Sequence, residues 1–293
     1  MKTLGIDLGG TQIKLGVVEN GRLLHESECA TPKQRAYDTV LQTLYDEADK
    51  LLSRYPEIQQ VGLGSPGLVD AGAGMILYSN NFGWHNVPLG CDLSAVLGRP
   101  VRMANDAHCA ALGEALHGAG QGVKRMAMVT IGTGLGGGFV KNGVLEDDVY
   151  GSLAYIFGHI SVEQEGKLCN CGRRGCLECY ASAEAIAQKS KRILHSAESV
   201  REVFEAAKRQ DEVAVSIVGE FMEYLASGVV SIANVLRPHI VVIGGGVAGS
   251  SDMILPYLNE ELQKGVYGYQ YAPVRAVCAT LGNSAGVVGA ASL

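Results

Sequence analysis

Residues 5–14 read GIDLGGTQIK. An apolar run closes on Asp7, and Gly9-Gly10-Thr11 separates it from a second apolar run, which reads as strand, turn, strand. Working outward, segments 3–8, 14–18 and 22–28 are expected as three short strands, with Asn20-Gly21 as the hairpin turn between the last two. Residues 36–53 place Val40, Leu41, Leu44, Leu51 and Leu52 at helical spacing. A strand at 60–64 ends in the loop Gly64-Ser65-Pro66-Gly67. Another, at 100–104, runs into Asn105-Asp106 and an alanine-rich helix over 107–117. The first part therefore reads β-β-β-α-β-β-α.

The second part repeats the idea. Strands are expected at 126–131 and 138–141 around a glycine-rich turn, and Asn142-Gly143 is a further hairpin signal. Helices follow near 183–193, 197–208 and 211–236, then a strand at 239–243 running into Gly244-Gly245-Gly246. A helix at 251–263, a strand at 274–278 and an apolar tail at 285–293 complete the chain. Three times a strand ends in a polar glycine turn: GIDLGGT, TIGTGLGGG and VVIGGG. The repetition predicts an α/β chain of two related halves facing one cleft. Glycines cluster at Gly118–Gly122, so the first domain is expected over 1–118, joined by the terminal helix 284–293, and the second over 119–283.

The 293 residues suffice for two cores of ordinary size. A net charge of −6 with no basic run excludes a general nucleic-acid or membrane surface, so neither partner is expected. Asp7 interrupts the first apolar run too early for a signal peptide. The apolar segment 225–247 is broken by Arg237, Pro238 and His239, so no membrane span is expected. A cytoplasmic protein follows, its cysteines reduced or bound to metal.

Glycine turns let backbone N–H groups approach an anion, and Thr11 adds a hydroxyl donor. The same turns also serve as plain hairpins. Gly132, Gly134 and Gly137 spell GxGxxG, but the residues after them, Gly138 to Lys141, read as a strand. A dinucleotide fingerprint requires a helix there. Residues 158–180, GHISVEQEGKLCNCGRRGCLECY, hold four of the eight cysteines ten residues after His159. Three thiolates and one imidazole make a closed tetrahedral zinc site. Buried structural cysteines are the alternative reading, and nothing marks one thiol as an activated nucleophile. Spacing alone leaves the spare thiol open. Asp106 begins a helix, where an aspartate commonly caps.

Taken together, GIDLGGT, GSPG, NDA, GTGLGGG, GH, CxCGxxGCLE and GGG resemble the ROK family of bacterial sugar kinases and related repressors. That family belongs with actin, hexokinase and the heat-shock chaperone ATPases. The resemblance implies a two-domain, duplicated actin-like (ribonuclease H-like) ATPase fold in which ATP and a hexose meet in a central cleft. By position, Gly9, Gly10, Thr11 and Lys14 correspond to the first phosphate loop. Gly132, Thr133, Gly134 and Gly136 correspond to the second, and Gly244, Gly245 and Gly246 to the loop near the adenosine. Asp7 is implied to position Mg²⁺. Asn105 is implied as a sugar contact and Asp106 as the catalytic base, while Gly64, Ser65 and Asn81 line the sugar with His159 and Glu178. His159, Cys169, Cys171 and Cys176 match the family's ligands to a structural Zn²⁺, and Cys179 falls where the family varies. A homodimer is implied as well.

One stretch departs from the pattern. Where the family usually reads AGEIGH, this chain has Ala154-Tyr155-Ile156-Phe157-Gly158-His159, so Ile156 replaces a sugar-binding glutamate and Tyr155 a glycine. Losing a charged acceptor costs on the order of 1.5–3 kcal/mol of affinity. With Asp106 and the phosphate loops intact, a working kinase of glucose at O6 is expected. An N-acetylhexosamine kinase and a non-catalytic sugar sensor are the competing readings. The family's repressors carry an N-terminal helix-turn-helix, for which the residues before Asp7 leave no room. Trp84 is expected near the cleft mouth or in the core. His25, His85, His108, His117, His195 and His239 have no clustered partners in sequence and are expected as surface or packing residues.

Overall fold

The structure, a computed structural model, describes residues 1–146, 154–194 and 199–293. His195 and the first two residues of the expected helix 197–208 lie outside the described residues. The chain begins with a three-strand meander: β1 (Lys2–Leu8), β2 (Gln12–Glu19) and β3 (Arg22–Ala30). Its hairpin turn is Asn20-Gly21, with φ of 51° and 77°, the left-handed pair that matches strand twist. Helix α1 (Tyr37–Arg54) follows, then β4 (Val61–Ser65), β5 (Leu68–Asp70), β6 (Met75–Ser79), β7 (Trp84–Val87), α2 (Leu89–Leu97), β8 (Val101–Asn105) and α3 (Asp106–His117). After these come β9 (Arg125–Ile131), β10 (Leu135–Lys141) and β11 (Val144–Leu145). The remainder is α4 (Glu178–Ala181), α5 (Ala183–Leu194), α6 (Val200–Lys208), α7 (Glu212–Leu236), β12 (Ile240–Gly244), α8 (Ser251–Gly265), β13 (Arg275–Cys278) and α9 (Ala285–Ala290).

The chain divides into two compact units, residues 1–122, 138–155 and 283–293 against 123–137 and 156–282. In the first unit the sheet order is β3-β2-β1-β4-β8, antiparallel through the meander and parallel from β1 outward. The second sheet, β11-β10-β9-β12-β13, repeats that plan, with β9, β12 and β13 parallel. Two sheets with the same order and sense are the duplication that the glycine turns announce.

Burial follows position in the sheet. Edge strand β3 alternates exposed and half-buried residues, as a strand with one wet face should. Central β1 buries Leu4, Ile6 and Leu8 in one cluster with Val40, Leu44 and Leu51 of α1 and Leu89 and Leu93 of α2, while Gly5 on its other face meets α9. Each such side chain contributes about 1.5–3 kcal/mol of burial. In the second unit α7 is the core helix, packed by α4, α5, α6 and α8, with Phe204 and Phe221 edge to face at 5.9 Å. By length and apolar composition α7 is long enough to cross a membrane, contrary to the sequence expectation, since it ends at Leu236 before the residues thought to break it. Its face through Ile217, Phe221, Leu225, Val229 and Ile232 is buried in this unit.

Strands β5, β6 and β7, which form a small antiparallel sheet, and helix α2 were not anticipated. The strands are three to five residues long, and Gly67, Gly74 and Gly83, all at positive φ, punctuate them into what reads as loop. Strand β10 begins at Leu135, inside the expected glycine turn, so Gly136 and Gly137 are strand residues.

Candidate active site

In the first unit the residues singled out gather at the carboxyl ends of three parallel strands. Asp7 at the end of β1 lies in register with Gly64 of β4, and Ser65 with Asn105 of β8. Crevices at the carboxyl ends of such strands are where α/β sheets bind ligands. Across the hairpin Asp7 faces Lys14, whose ammonium donates to the Asn283 carbonyl at 3.4 Å. Burial, reinforced by the Asp106 carboxylate and opposed by Lys14, raises the Asp7 carboxyl to about 6. Burial also raises Asp106, against the Ala107 N–H that its Oδ1 accepts at 2.9 Å. The charges of Asp7 and Asp106 also act on Cys109, whose thiol burial pushes well up.

The helix cap falls to Asn105. Its Oδ1 accepts from the N–H groups of Ala107 at 2.9 Å and His108 at 3.3 Å, and its Nδ2 donates to the Gly67 carbonyl at 3.0 Å. Asn105 thus takes the main part of the capping role open to Asp106. The Asn105 side chain also hydrogen-bonds the Asp106 carboxylate, which opposes the rise in that group's proton affinity. Ser65 is buried and its hydroxyl reaches only the Pro66 carbonyl, at 3.5 Å. Asn81 is exposed on the turn between β6 and β7.

The first glycine turn is tied down by residues that sequence reasoning missed. Thr31 Oγ1 donates to the Gly9 carbonyl at 2.8 Å, and the Arg35 guanidinium donates to the Gly10 carbonyl at 3.0 Å and to the Asn81 carbonyl. The Trp84 indole N–H donates to the Arg35 carbonyl at 2.9 Å, and its ring packs on Phe82 with centroids 4.4 Å apart. Trp84 is 6% exposed, a core residue. No spacing rule reaches these contacts, since Arg35 lies 25 residues from Gly10 and 46 from Asn81.

In the second unit the loops after β9 and β12 lie side by side, with Gly244 in register with Thr130. Gly245 has φ 83°, and a β-carbon there would sit 2.4 Å from the Ile131 carbonyl, so only glycine fits. Glu178, at the start of α4, accepts the Leu135 N–H at 2.9 Å through Oε2. The Gly132 carbonyl accepts the Ala183 N–H at 2.9 Å, so α4 and its continuation brace the glycine loop. Gly134 and Gly136 are half-buried and Thr133 is exposed; Gly246 is open to solvent.

Below this loop His159, Cys169, Cys171 and Cys176 bring one ligand atom each to within 4.8 Å of one another. His159 Nδ1 and Cys169 Sγ are 3.6 Å apart, as are the Cys171 and Cys176 sulfurs. Ligands about 2.0–2.3 Å from a tetrahedral zinc stand on the order of 3.5 Å from each other, so the donor set fits that ion. Burial, with the neighbouring thiols, pushes Cys176 up to about 12. A cation bound there would have to displace that proton, so its affinity would rise with pH. Cys179 is outside the group, with its sulfur 3.9 Å from the Leu168 carbonyl.

The segment that departs from the ROK pattern is distinctive in conformation. Tyr155 has φ 60°, left-handed backbone at a bulky residue, and its ring meets Phe139 at 5.5 Å. Ile156 is half-buried and its carbonyl accepts the His159 N–H at 3.1 Å. Among the other histidines, His108 is buried and His85 and His239 are exposed. His25 packs near Tyr55, and His117 hydrogen-bonds the Ser292 hydroxyl at 3.3 Å.

Comparison with known proteins decides the family. The ROK family model matches residues 3–293. The chain belongs to the ROK family. A glucokinase of Halalkalibacterium halodurans is 37% identical, over 98% of this chain and 92% of that protein. An N-acetyl-D-glucosamine kinase of Haemophilus influenzae is 33% identical over 99% and 98%. Among solved structures, a ROK family glucokinase from Streptomyces griseus in complex with glucose and AMPPNP superimposes with TM-score 0.86, at 32% identity and coverage of 100% and 98%. The duplicated sheets of this ROK protein are therefore those of the actin-like ATPase fold.

Proposed function

We propose that this ROK protein is an ATP-dependent sugar kinase that transfers the γ-phosphate to a hexose hydroxyl, with glucose O6 as acceptor. The observation that carries the reading is the pair at the end of β8: Asn105 caps α3, and beside it stands the buried Asp106 carboxylate, hydrogen-bonded to the Ala107 N–H and the Asn105 side chain. A carboxylate at that point accepts the hydroxyl proton as the oxygen attacks phosphorus in line. Burial raises its proton affinity toward that of a useful base. In this reading Gly9, Gly10, Thr11 and Lys14, and likewise Gly132, Thr133, Gly134 and Gly136, would bind phosphate, and Gly244, Gly245 and Gly246 the adenosine. Mg²⁺ bound with the nucleotide would neutralise phosphate charge, and Asp7 is the residue that would help to position it. Gly64, Ser65, Asn81, Asn105, His159 and Glu178 are the residues that would contact the sugar.

His159, Cys169, Cys171 and Cys176 would hold a structural zinc, which would cross-link the loop that leads into Glu178. The reading places the protein in the cytoplasm as a homodimer. Ile156, half-buried where relatives of the family bear a carboxylate, favours one second reading, an N-acetylhexosamine as acceptor. ADP release with Mg-ATP is measured against glucose, mannose, allose, fructose, N-acetylglucosamine and N-acetylmannosamine, with Asp106→Asn as control. Turnover with glucose that the control abolishes supports the reading, and preference for an acetylated sugar moves it to the second. No turnover with any sugar leaves a sugar-binding protein without catalysis.

A further inference from the structure

We infer that Thr31 and Arg35 are positioning residues for the first phosphate loop, and that Arg35 couples this loop to the sugar contact Asn81. The inference rests on the kinase reading and adds to it residues outside the glycine motif. Thr31 Oγ1 holds the Gly9 carbonyl at 2.8 Å, and Arg35 Nη2 holds the Gly10 carbonyl at 3.0 Å. In a trans peptide the carbonyl and the next residue's N–H point in opposite directions. Fixing these two carbonyls therefore fixes the N–H groups of Gly10 and Thr11, aimed the opposite way, as two donors of set direction. Donors set before the ligand arrives cost no reorganisation when charge must be bound. The Gly9 N–H is occupied separately, donating to the Gln12 carbonyl at 3.0 Å, and Thr31 N–H donates to the Thr11 carbonyl at 3.0 Å.

Arg35 is itself held at three points. Its backbone is left-handed, φ 52°, and its N–H donates to the Pro32 carbonyl at 3.0 Å. Its carbonyl accepts the Trp84 indole N–H at 2.9 Å, and its guanidinium lies 5.9 Å from the Phe82 ring centre. From that mount the fork spans two carbonyls on different turns, Gly10 after β1 and Asn81 after β6. A planar fork with two parallel donors can do this, and a lysine ammonium on a flexible stem cannot hold both in one geometry. The Asn81 amide nitrogen would lie 3.3 Å from a β-carbon on Gly10, so the two turns touch where Arg35 joins them.

The test is steady-state kinetics with Mg-ATP and glucose on wild type, Arg35→Ala, Arg35→Lys and Thr31→Val. Arg35→Ala is expected to raise KM for both substrates together, each about tenfold, the worth of one lost charge-assisted bond. Arg35→Lys leaves at least one of the two KM values raised. Thr31→Val touches the Gly9 carbonyl alone and raises KM for ATP about threefold or more, with KM for glucose unchanged. Trp84 is the single tryptophan, so unaltered emission in Thr31→Val shows that this neighbourhood has kept its fold. Unchanged KM values in Arg35→Ala, or equal rises of both in Thr31→Val, overturn the inference. If Arg35→Ala does not fold, the KM split in Thr31→Val decides. A wild type that phosphorylates no sugar sinks the kinase reading instead; calorimetric binding of AMPPNP then decides the positioning role, which falls if Thr31→Val binds as tightly as wild type.

Discussion

Two carboxyls with raised proton affinity stand at the ends of β1 and β8, and they serve different ends. Asp106 is the base of the proposed transfer, so Asp106→Asn is expected to lower kcat by about 10²–10⁴ while leaving the melting temperature near that of wild type. Rate and thermal melting measured on the same preparation check this. Asp7 is lifted from 3.8 to about 6, chiefly by burial and then by the Asp106 charge. Because the folded state holds this proton more tightly than the unfolded chain, Asp7 favours folding fully below about pH 4, and that contribution is lost as pH rises through 6. Ionised Asp7 therefore works against the unliganded fold at neutral pH. Asp7→Asn is expected to stabilise the apo protein at pH 7.5 by on the order of 2 kcal/mol, with the gain vanishing near pH 4. Denaturant titration at the two pH values reads it. Turnover falls in the same variant, since the charge is needed beside metal-bound phosphate.

Two elements are held by devices that a substitution can isolate. Helix α9 packs against α3 and the first sheet through glycine: a β-carbon on Gly289 would meet the Cys109 carbonyl at 1.6 Å, and one on Gly62 the Ala290 carbonyl at 1.7 Å. Both obstacles are backbone, which cannot swing aside as a side chain can. Gly289→Ala is expected to cost about 3 kcal/mol or more, or to abolish folding, as measured by chemical denaturation. The knuckle carrying the cysteines is closed by paired backbone bonds: Cys169 N–H to Arg173 carbonyl at 2.8 Å and Val162 N–H to Gly175 carbonyl at 2.8 Å. Protein purified without chelators is expected to carry about one zinc per chain. Cys176→Ser should lose the metal and melt about 5 °C or more lower, whereas Cys179→Ser should keep both metal and stability. Metal analysis with calorimetry separates the two. Equal metal loss in both variants removes the proposed ligand set.

At the scale of the whole molecule, sedimentation is expected to give a mass about twice the 30.8 kDa of one chain, since the proposed function includes a homodimer. Much of the architecture was legible in the residue order. The Asn20-Gly21 and Asn142-Gly143 hairpins, the periodicity of α1 and the strand ends at Asp7, Ile131 and Gly244 all express local preferences, which act over a few residues and survive in any context. The motif set that identifies the family is local in the same sense, as is the CxC-x4-C spacing of the metal cluster. Other features depend on what folding brings near. Strands of three to five residues between glycines form β5, β6 and β7 only because neighbouring strands supply their hydrogen bonds. That Asn105 rather than Asp106 is the main cap is a matter of which side chain reaches two N–H groups. Arg35, one of two cations in TPKQR, acquires its place only when β1, β6 and β7 lie together. Sequence determined the fold, the family and the grouping of His159 with three cysteines, because propensity and spacing are short-range. Tertiary structure alone decided which groups orient the phosphate loop and how strongly Asp7 holds its proton, because both depend on long-range contact and on exclusion of water.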